Sequence, residues 1–517
     1  MRKSNAKHEP AKDASGAPAA YLSADERRAA GKGLRDATSR AAHGGWKSPE
    51  DRRDPVELLR EANEGRIPEL IPLRFSRMAQ SPFAFYRGAA AIMAADLAST
   101  PASGLRVQAC GDAHLMNFGG FATPERNIFF DINDFDETLP APWEWDVKRL
   151  AASLVIAARH IDLPDSAAAK AATESVCSYR ERMADYASMR ALDVWYDRID
   201  LDRVLKVLPS AAEVERVRQR VEQARRKSLP ESLFPKLVEH FGSAPRIKDA
   251  PPLIFHPTAE QAPGLQTGYV EALEGYRKSL PEHIRVLFDR FRLFDLAIKV
   301  VGVGSVGTYC ALGLFMAADD DPIFLQVKEA RKSVLEPYAG KSLHKNHGER
   351  VVAGQRLMQS ASDIFLGWTR GVIGRDYYFR QLRDAKISAI PEDWDLTTLK
   401  EFGKLCAWAL ARAMRDRAIR RGLQATWAPI RHSTMRCASS RSNTPTRTFA
   451  TIAALSKRSA KIESQLPPKA ELSTTQTVQI ASDCRDRPMP CRSSWRAILL
   501  SSTSNGEAPM TRSRCSR

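Results

Sequence analysis

"LAIKVVGVGSVGTYCALGLFMAADDDPIFLQVKEA", residues 296–330, can fold in two ways, and the choice between them sets the fold class. It contains a G-x-G-x-x-G pattern at Gly302, Gly304 and Gly307. In a dinucleotide-binding unit the third glycine opens a helix, and an acidic residue ends the next strand. In a kinase-type hairpin the glycines lie over phosphates, and a lysine rises from the following strand. Here Gly307 is followed by an apolar run, the turn signal "ADDDP" and the strand-like "PIFLQVKEA". The pattern therefore predicts strand, glycine-rich turn, strand, acidic turn, strand. On that reading Lys328 occupies the position of an ammonium that meets the α- and β-phosphates. An apolar strand carrying one lysine needs a counter-ion, because an unpaired buried ammonium is costly. Glu349, on the next helix, is the expected partner, with Glu336 as the alternative and Glu329 facing the surface.

A second segment carries the complementary chemistry. "VQACGDAHLMNFGGF", residues 107–121, holds Asp112, His114 and Asn117 between apolar residues and glycines. Asp112 and Asn117 have the D-x-x-x-x-N spacing of a phosphotransfer loop. Such chemistry needs one carboxylate to orient the attacking hydroxyl, and an amide oxygen plus a second carboxylate to hold magnesium. "NIFFDINDFDE", residues 127–137, offers Asp131, Asp134 and Asp136. A hairpin between short strands at 105–110 and 127–131 would return Asp131 beside Asn117. The expected roles are Asp112 for the hydroxyl and Asn117 with Asp131 for magnesium. Asp134 and Asp136 either assist the metal or brace the loop. A calcium loop fits poorly, since the central glycine and the terminal Glu spacing are missing. His114 lacks a second ligand at zinc spacing and reads as a bracing residue. Arg87, in "FAFYRG", is a candidate for an anionic substrate or for a structural ion pair.

The two weak signals belong to one machine, but in reversed order. A kinase chain runs from glycine loop to catalytic loop; here the catalytic loop comes first. Circular permutation accounts for this, because a site is defined by position in space and not by chain order. The expected fold is α+β, two-lobed and kinase-like. A disordered arm spans 1–50, a helical catalytic lobe 51–290, and a β-rich nucleotide lobe 291–413, with "YYFRQL" near Gln381 and Leu382 as the hinge toward adenine.

Composition narrows the partners. The chain has 517 residues and a net charge of +17, which at first suggests nucleic acid. From Met414 onward there are 19 Lys+Arg against 6 Asp+Glu, leaving 59 against 55 for the first 413 residues. The basicity is thus confined to the last fifth, and no nucleic-acid face is indicated on the folded body. No run approaches the ~20 apolar residues of a membrane helix, and no secretory signal opens the chain. The eight cysteines show no C-x-x-C spacing, in keeping with free thiols and a cytoplasmic location.

Several long motifs together, "SPFAFYRGAAAIMAADLA", "CGDAHLMNFGGF", "FDINDFDETLPAPWEWDVKRLAASL", "VVGVGSVGTYC", "FLQVKEA" and "YYFRQLRDAK", resemble a bacterial family, domain of unknown function 2252, over about 70–413. The loop also resembles in part the aminoglycoside-phosphotransferase pattern. It keeps Gly111, Asp112 and His114, with Cys110 in place of the leading histidine. The resemblance implies a C-terminus with segments such as "LARAHARSGD", whereas this chain reads "LARAMRDRAIRRGLQATW". If Met414–Arg417 are encoded ATG-CGC-GAT-CGG after a C, reading one base earlier restores His-Ala-Arg-Ser. A frameshift near Met414 is the expectation, with residues 414–517 an out-of-frame or disordered tail; the nucleotide sequence tests it.

The functional expectation is an ATP- and magnesium-dependent phosphotransferase acting on a hydroxyl-bearing acceptor. A catalytically silent nucleotide-binding regulator, an AMP transferase and a dinucleotide-dependent oxidoreductase are the alternatives. A helix directly after Gly307 would favour the last.

Overall fold

Thirteen strands and a larger set of helices make up the described part of the chain. The structure is a computed structural model, and it describes residues 24–414 apart from 40–41, 45–47, 229, 242–243, 259–268, 301, 319–320, 372–373 and 383–384. The basic tail, with its proposed change of frame, lies outside the described residues. So does the first part of the N-terminal arm; the rest is not wholly irregular, because Ala24–Ala37 forms a helix.

Four short strands come early: β1 (Arg106–Ala109), β2 (Phe118–Ala122), β3 (Ile128–Ile132) and β4 (Leu139–Pro142). A hairpin of β5 (Val238–Phe241) and β6 (Ala244–Ile247) follows, then β7 (Ile254–Phe255). The stretch that opened the sequence reading folds as β8 (Arg292–Lys299), a glycine-rich turn, β9 (Cys310–Met316) and β10 (Pro322–Ala330). The last strands are β11 (Gly367–Arg370), β12 (Asp376–Gln381) and β13 (Ile387–Ser388). Strand, not helix, therefore follows Gly307. The dinucleotide geometry, with a pyrophosphate on a helix N-terminus, is not built here.

The main sheet is antiparallel, in the order β11-β12-β10-β9-β8-β7. All seven residues of β9 are buried, which is why "CALGLFM" reads as a continuous apolar run and not as an alternation. One face of this sheet is covered by residues 269–288, where the Tyr276 ring stacks on Phe379 at 4.0 Å. The expected lobe boundary at 290 thus moves: the segment from about 233 packs with the sheet. In the other direction, Leu396–Ala413 packs with the helices Trp143–His160 and Asp165–Ser188, which lie far earlier in the chain. The helices meet closely at Gly403, where a Cβ would lie 2.9 Å from a Leu154 methyl. The whole is a mixed α and β structure with several sheets. Among the described residues no helix is long and apolar enough to cross a membrane.

One buried ion pair ties the helical core to the small sheet of β13-β2-β3. Arg412, at the end of the Leu396–Ala413 helix, reaches both oxygens of Asp131 on β3 at 2.9 and 2.7 Å. Ser360 donates to the same carboxylate through its N–H (2.9 Å) and its hydroxyl (2.8 Å). Both charges are wholly buried. Removing one member leaves the other buried without a partner, which costs about 3–5 kcal/mol. Arg412→Met is therefore expected to lower stability by about that amount in urea denaturation, while Asp131→Leu with Arg412→Met recovers much of the loss. A single variant as stable as the parent would show the pair to be dispensable.

Candidate functional site

The β2–β3 hairpin and the chain that follows it bring the acidic residues together. Phe118 pairs with Ile132 and Gly119 with Asp131, and the Asn133 N–H donates to the Asn117 carbonyl at 2.8 Å. The predicted hairpin thus exists, but its register sets Asn133 and Asp134 beside Asn117. Asp131 points away, into the ion pair with Arg412. The expectation that Asp131 holds magnesium is corrected here: both its oxygens are committed and it has no exposure. Asp134 fits that role, since its carboxylate is about a third exposed and lines the cavity described below.

The loop carrying Asp112 is pinned from behind by the Trp143–His160 helix. Asp146 accepts the N–H groups of Cys110 (2.8 Å) and Gly111 (3.1 Å). Gly111 has φ +82°, and a Cβ there would meet the Glu137 carbonyl at 2.4 Å, so both conformation and space demand glycine. Arg149, one turn further along the helix, donates to one oxygen of Asp112 and lies 4.4 Å over the Tyr86 ring. Burial raises the Asp112 pKa above the ordinary carboxylate value, and Arg149 works against that rise. His114 stands 3.7 Å from the second Asp112 oxygen. Burial and the neighbouring Arg149 and Arg87 push its pKa well down, so the ring is neutral and braces the loop. The Asn117 amide donates to the Asp112 carbonyl at 2.7 Å, which leaves its Oδ1 as an acceptor on the cavity wall.

Lys328 projects from β10 onto the same loop. Its ammonium lies 2.6 Å from Asp136 and 3.9 Å from Asp134. Asp136 also accepts from the Tyr378 hydroxyl at 2.6 Å and the Ser305 hydroxyl at 3.2 Å. Burial alone would lower the Lys328 pKa, but Asp134 and Asp136 outweigh it and hold the group charged. Burial would likewise raise Asp136; Lys328 and Tyr378 instead hold it at about 2. Withdrawal from water, with Asp136 nearby, raises Asp134. The expected counter-ion of Lys328 is thus corrected. Glu349 is half-exposed and 3.4 Å from His344, and Glu336 is buried 3.9 Å from His347. The carboxylate comes instead from the acidic loop.

These groups line a cavity of about 370 Å³. Gly302, Gly304, Ser305 and Lys328 line it together with Asp112, Asn117 and Asp134. Gly307 stands outside it. Its φ of +84° turns the chain, and its carbonyl accepts the Ile67 N–H at 2.7 Å. Gln381 and Leu382 line the far end. Their N–H groups are already taken by Asp363 and by the Phe324 carbonyl, so an adenine there would not receive either donor. Arg380 and Lys386, which sequence reasoning missed, add positive charge to the cavity. Burial, and then Arg380, lower the Lys386 pKa to about 8. Arg87 also lines the cavity. Among the described residues no group of three or more His, Cys, Asp or Glu side chains could hold a metal ion. Magnesium commonly takes only one or two protein carboxylates, with waters and phosphates completing the shell; the oxygen-bearing side chains of the predicted set that line the cavity are Asn117, Asp112 and Asp134.

The chain matches the family model described as an uncharacterized protein conserved in bacteria, DUF2252, over residues 66–466, and belongs to that family. The match continues past Met414 into residues outside those described. No curated protein and no solved structure matches the chain.

The pinning of the loop by Asp146 is testable. Asp146→Ala leaves two buried N–H groups without acceptors, at about 1–3 kcal/mol each, and should lower the melting temperature and speed amide exchange at Cys110 and Gly111. Burial raises the Asp146 pKa from 3.8 to about 6 in the fold. The native state therefore binds this proton more tightly than the unfolded chain, and the contribution of Asp146 to stability falls as pH rises through that window. Asp146→Asn should flatten the pH dependence of stability between those two values. An unchanged slope would remove Asp146 as its source.

Proposed function

We propose that the cavity binds ATP and that the protein transfers its γ-phosphoryl group to an alcohol. One observation carries this reading: a glycine turn, an ammonium, an amide and two carboxylates line one cavity of about 370 Å³. That volume falls in the range of small-molecule sites, about 300–1,000 Å³. The Gly302–Ser305 turn and Lys328 cover and anchor the phosphates. Asn117 and Asp134 would hold magnesium, which would supply charge that neutralises the phosphates.

Asp112 does the proton work. Arg149 holds one of its oxygens, and the other accepts the proton of the acceptor hydroxyl. As the acceptor's hydroxyl oxygen bonds to the γ-phosphorus, the bond from phosphorus to the bridging β-phosphate oxygen breaks, and ADP leaves with the electron pair. The raised pKa of Asp112 suits it to take up a proton at this point. The same walls are compatible with nucleotide binding without turnover, and the assay below separates the two.

Mg·ATP should raise the melting temperature of the protein in a saturable way, through ligand linkage. Lys328→Met and Asp134→Asn should lose most of that rise. Asp112→Asn should keep it while ATP hydrolysis, with water as acceptor, falls by about 10²–10⁴-fold. A melting temperature unmoved by Mg·ATP ends the proposal; a rise with no turnover leaves a nucleotide-binding protein only.

A further inference from the structure

A second chamber of about 440 Å³ adjoins the first, and the two share Arg87, Asp112, Asp134, Gly304 and Ser305 as a common wall. Asp112 thus faces both. The new chamber is distinguished by three arginines, Arg66, Arg74 and Arg331.

All their hydrogen bonds go to neutral acceptors. Arg66 donates to the carbonyls of Ala62 (3.0 Å) and Val306 (2.6 Å). Arg74 donates to Asn63 Oδ1 (2.7 Å) and the Gly88 carbonyl (2.9 Å). Arg331 donates to the carbonyls of Ala62 (2.9 Å) and Glu64. Among the described residues, none of the three has a carboxylate at ion-pair distance. Arg74 is 2% exposed, and its Nε has no partner. Carboxylates also line the chamber, and most are engaged elsewhere: Glu61 by Arg53, Asp112 by Arg149 and Asp136 by Lys328. Glu329 pairs with Arg375 at 2.5 Å, and Glu137 accepts the Val334 N–H at 2.8 Å. Burial and mutual repulsion leave a mark: burial first, then Arg74 and Arg331, lower Arg66 to about 9, and burial with Arg331 lowers Arg74 to about 10.

Three guanidiniums gathered with no carboxylate at ion-pair distance can take up an anion. Their planar forks match the oxygens of a phosphate, and a dianion balances the cluster better than a single carboxylate would. We propose that this chamber receives the acceptor, and that the acceptor is an alcohol bearing a phosphomonoester, held by Arg66, Arg74 and Arg331 with its hydroxyl toward Asp112. The inference rests on the phosphotransfer reading for the hydroxyl, and on the arginines alone for the phosphate.

The test uses inorganic phosphate and the full chain in titration calorimetry. Phosphate should bind the free protein and the protein saturated with Mg·ATP with closely similar affinity, because the two chambers fill independently. Arg331→Gln and Arg66→Gln should weaken phosphate by about tenfold or more, as loss of a charged hydrogen bond implies, and leave Mg·ATP binding unchanged. Lys328→Met should do the reverse. Acetate should bind far more weakly than phosphate. Competition between phosphate and Mg·ATP on the unmodified protein overturns the site, whether or not the variants fold. So does phosphate binding that survives both arginine variants, or equal binding of acetate. Phosphate binding that depends on Arg331 in a protein that binds no ATP keeps the anion site and overturns its assignment to an acceptor.

Discussion

The contact between Lys328 and Asp136 is the constraint on which the site depends. It joins β10, an interior strand of the main sheet, to a loop 192 residues earlier, at 2.6 Å, with the ammonium almost wholly buried. A buried ammonium cannot be left alone, and neither can the carboxylates of the acidic loop. Each satisfies the other. In doing so they bring the glycine turn, whose Ser305 also bonds Asp136, into one cavity with Asp112 and Asn117. The cleft between them follows from this pairing and not from the continuity of the chain.

Around that contact the site is built in layers of fixed polar groups. Asp146 holds the backbone before Asp112, Arg149 holds the carboxylate itself, and Asn117 holds the carbonyl. The bonds at Asn117 and Asp112 each use one end of a bifunctional group and leave the other end outside that bond. Asn117 gives up its NH₂ and keeps its oxygen; Asp112 shares one oxygen with Arg149 and keeps the other. A site arranged this way is rigid before any ligand arrives, so binding need not include the ordering of its own side chains.

Much of this architecture was legible in the residues. Strand, glycine turn, strand, acidic turn and strand across 296–330 could be read from periodicity and turn chemistry, as could the helices over 347–358 and 396–413. Asp112, Asn117, Lys328 and two of the three glycines were singled out by spacing, and the cavity gathers them. The failures have one cause. Asp131 and Asp134 are both acids near the end of the same apolar segment, and nothing local separates them. What decides is Arg412, 281 residues away, which claims Asp131 for the core. Glu349 stood at a plausible spacing from Lys328, but the helix that bears it turns that side chain toward His344. Asp146 could have been suspected, as an acid inside the apolar helix "WEWDVKRLAASL"; the arginines of the second chamber carried no such signal.

By itself, the sequence determined the local conformations: which segments extend, which coil, and where only glycine tolerates the backbone, as at Gly111 and Gly307. These depend on sterics and on side-chain periodicity within a few residues. The tertiary structure alone decided which charge meets which, and therefore which acid braces the fold and which faces the cleft. Coulomb energy and desolvation depend on distance through space, and the chain brings Lys328 to Asp136, and Arg412 to Asp131, only once it has folded.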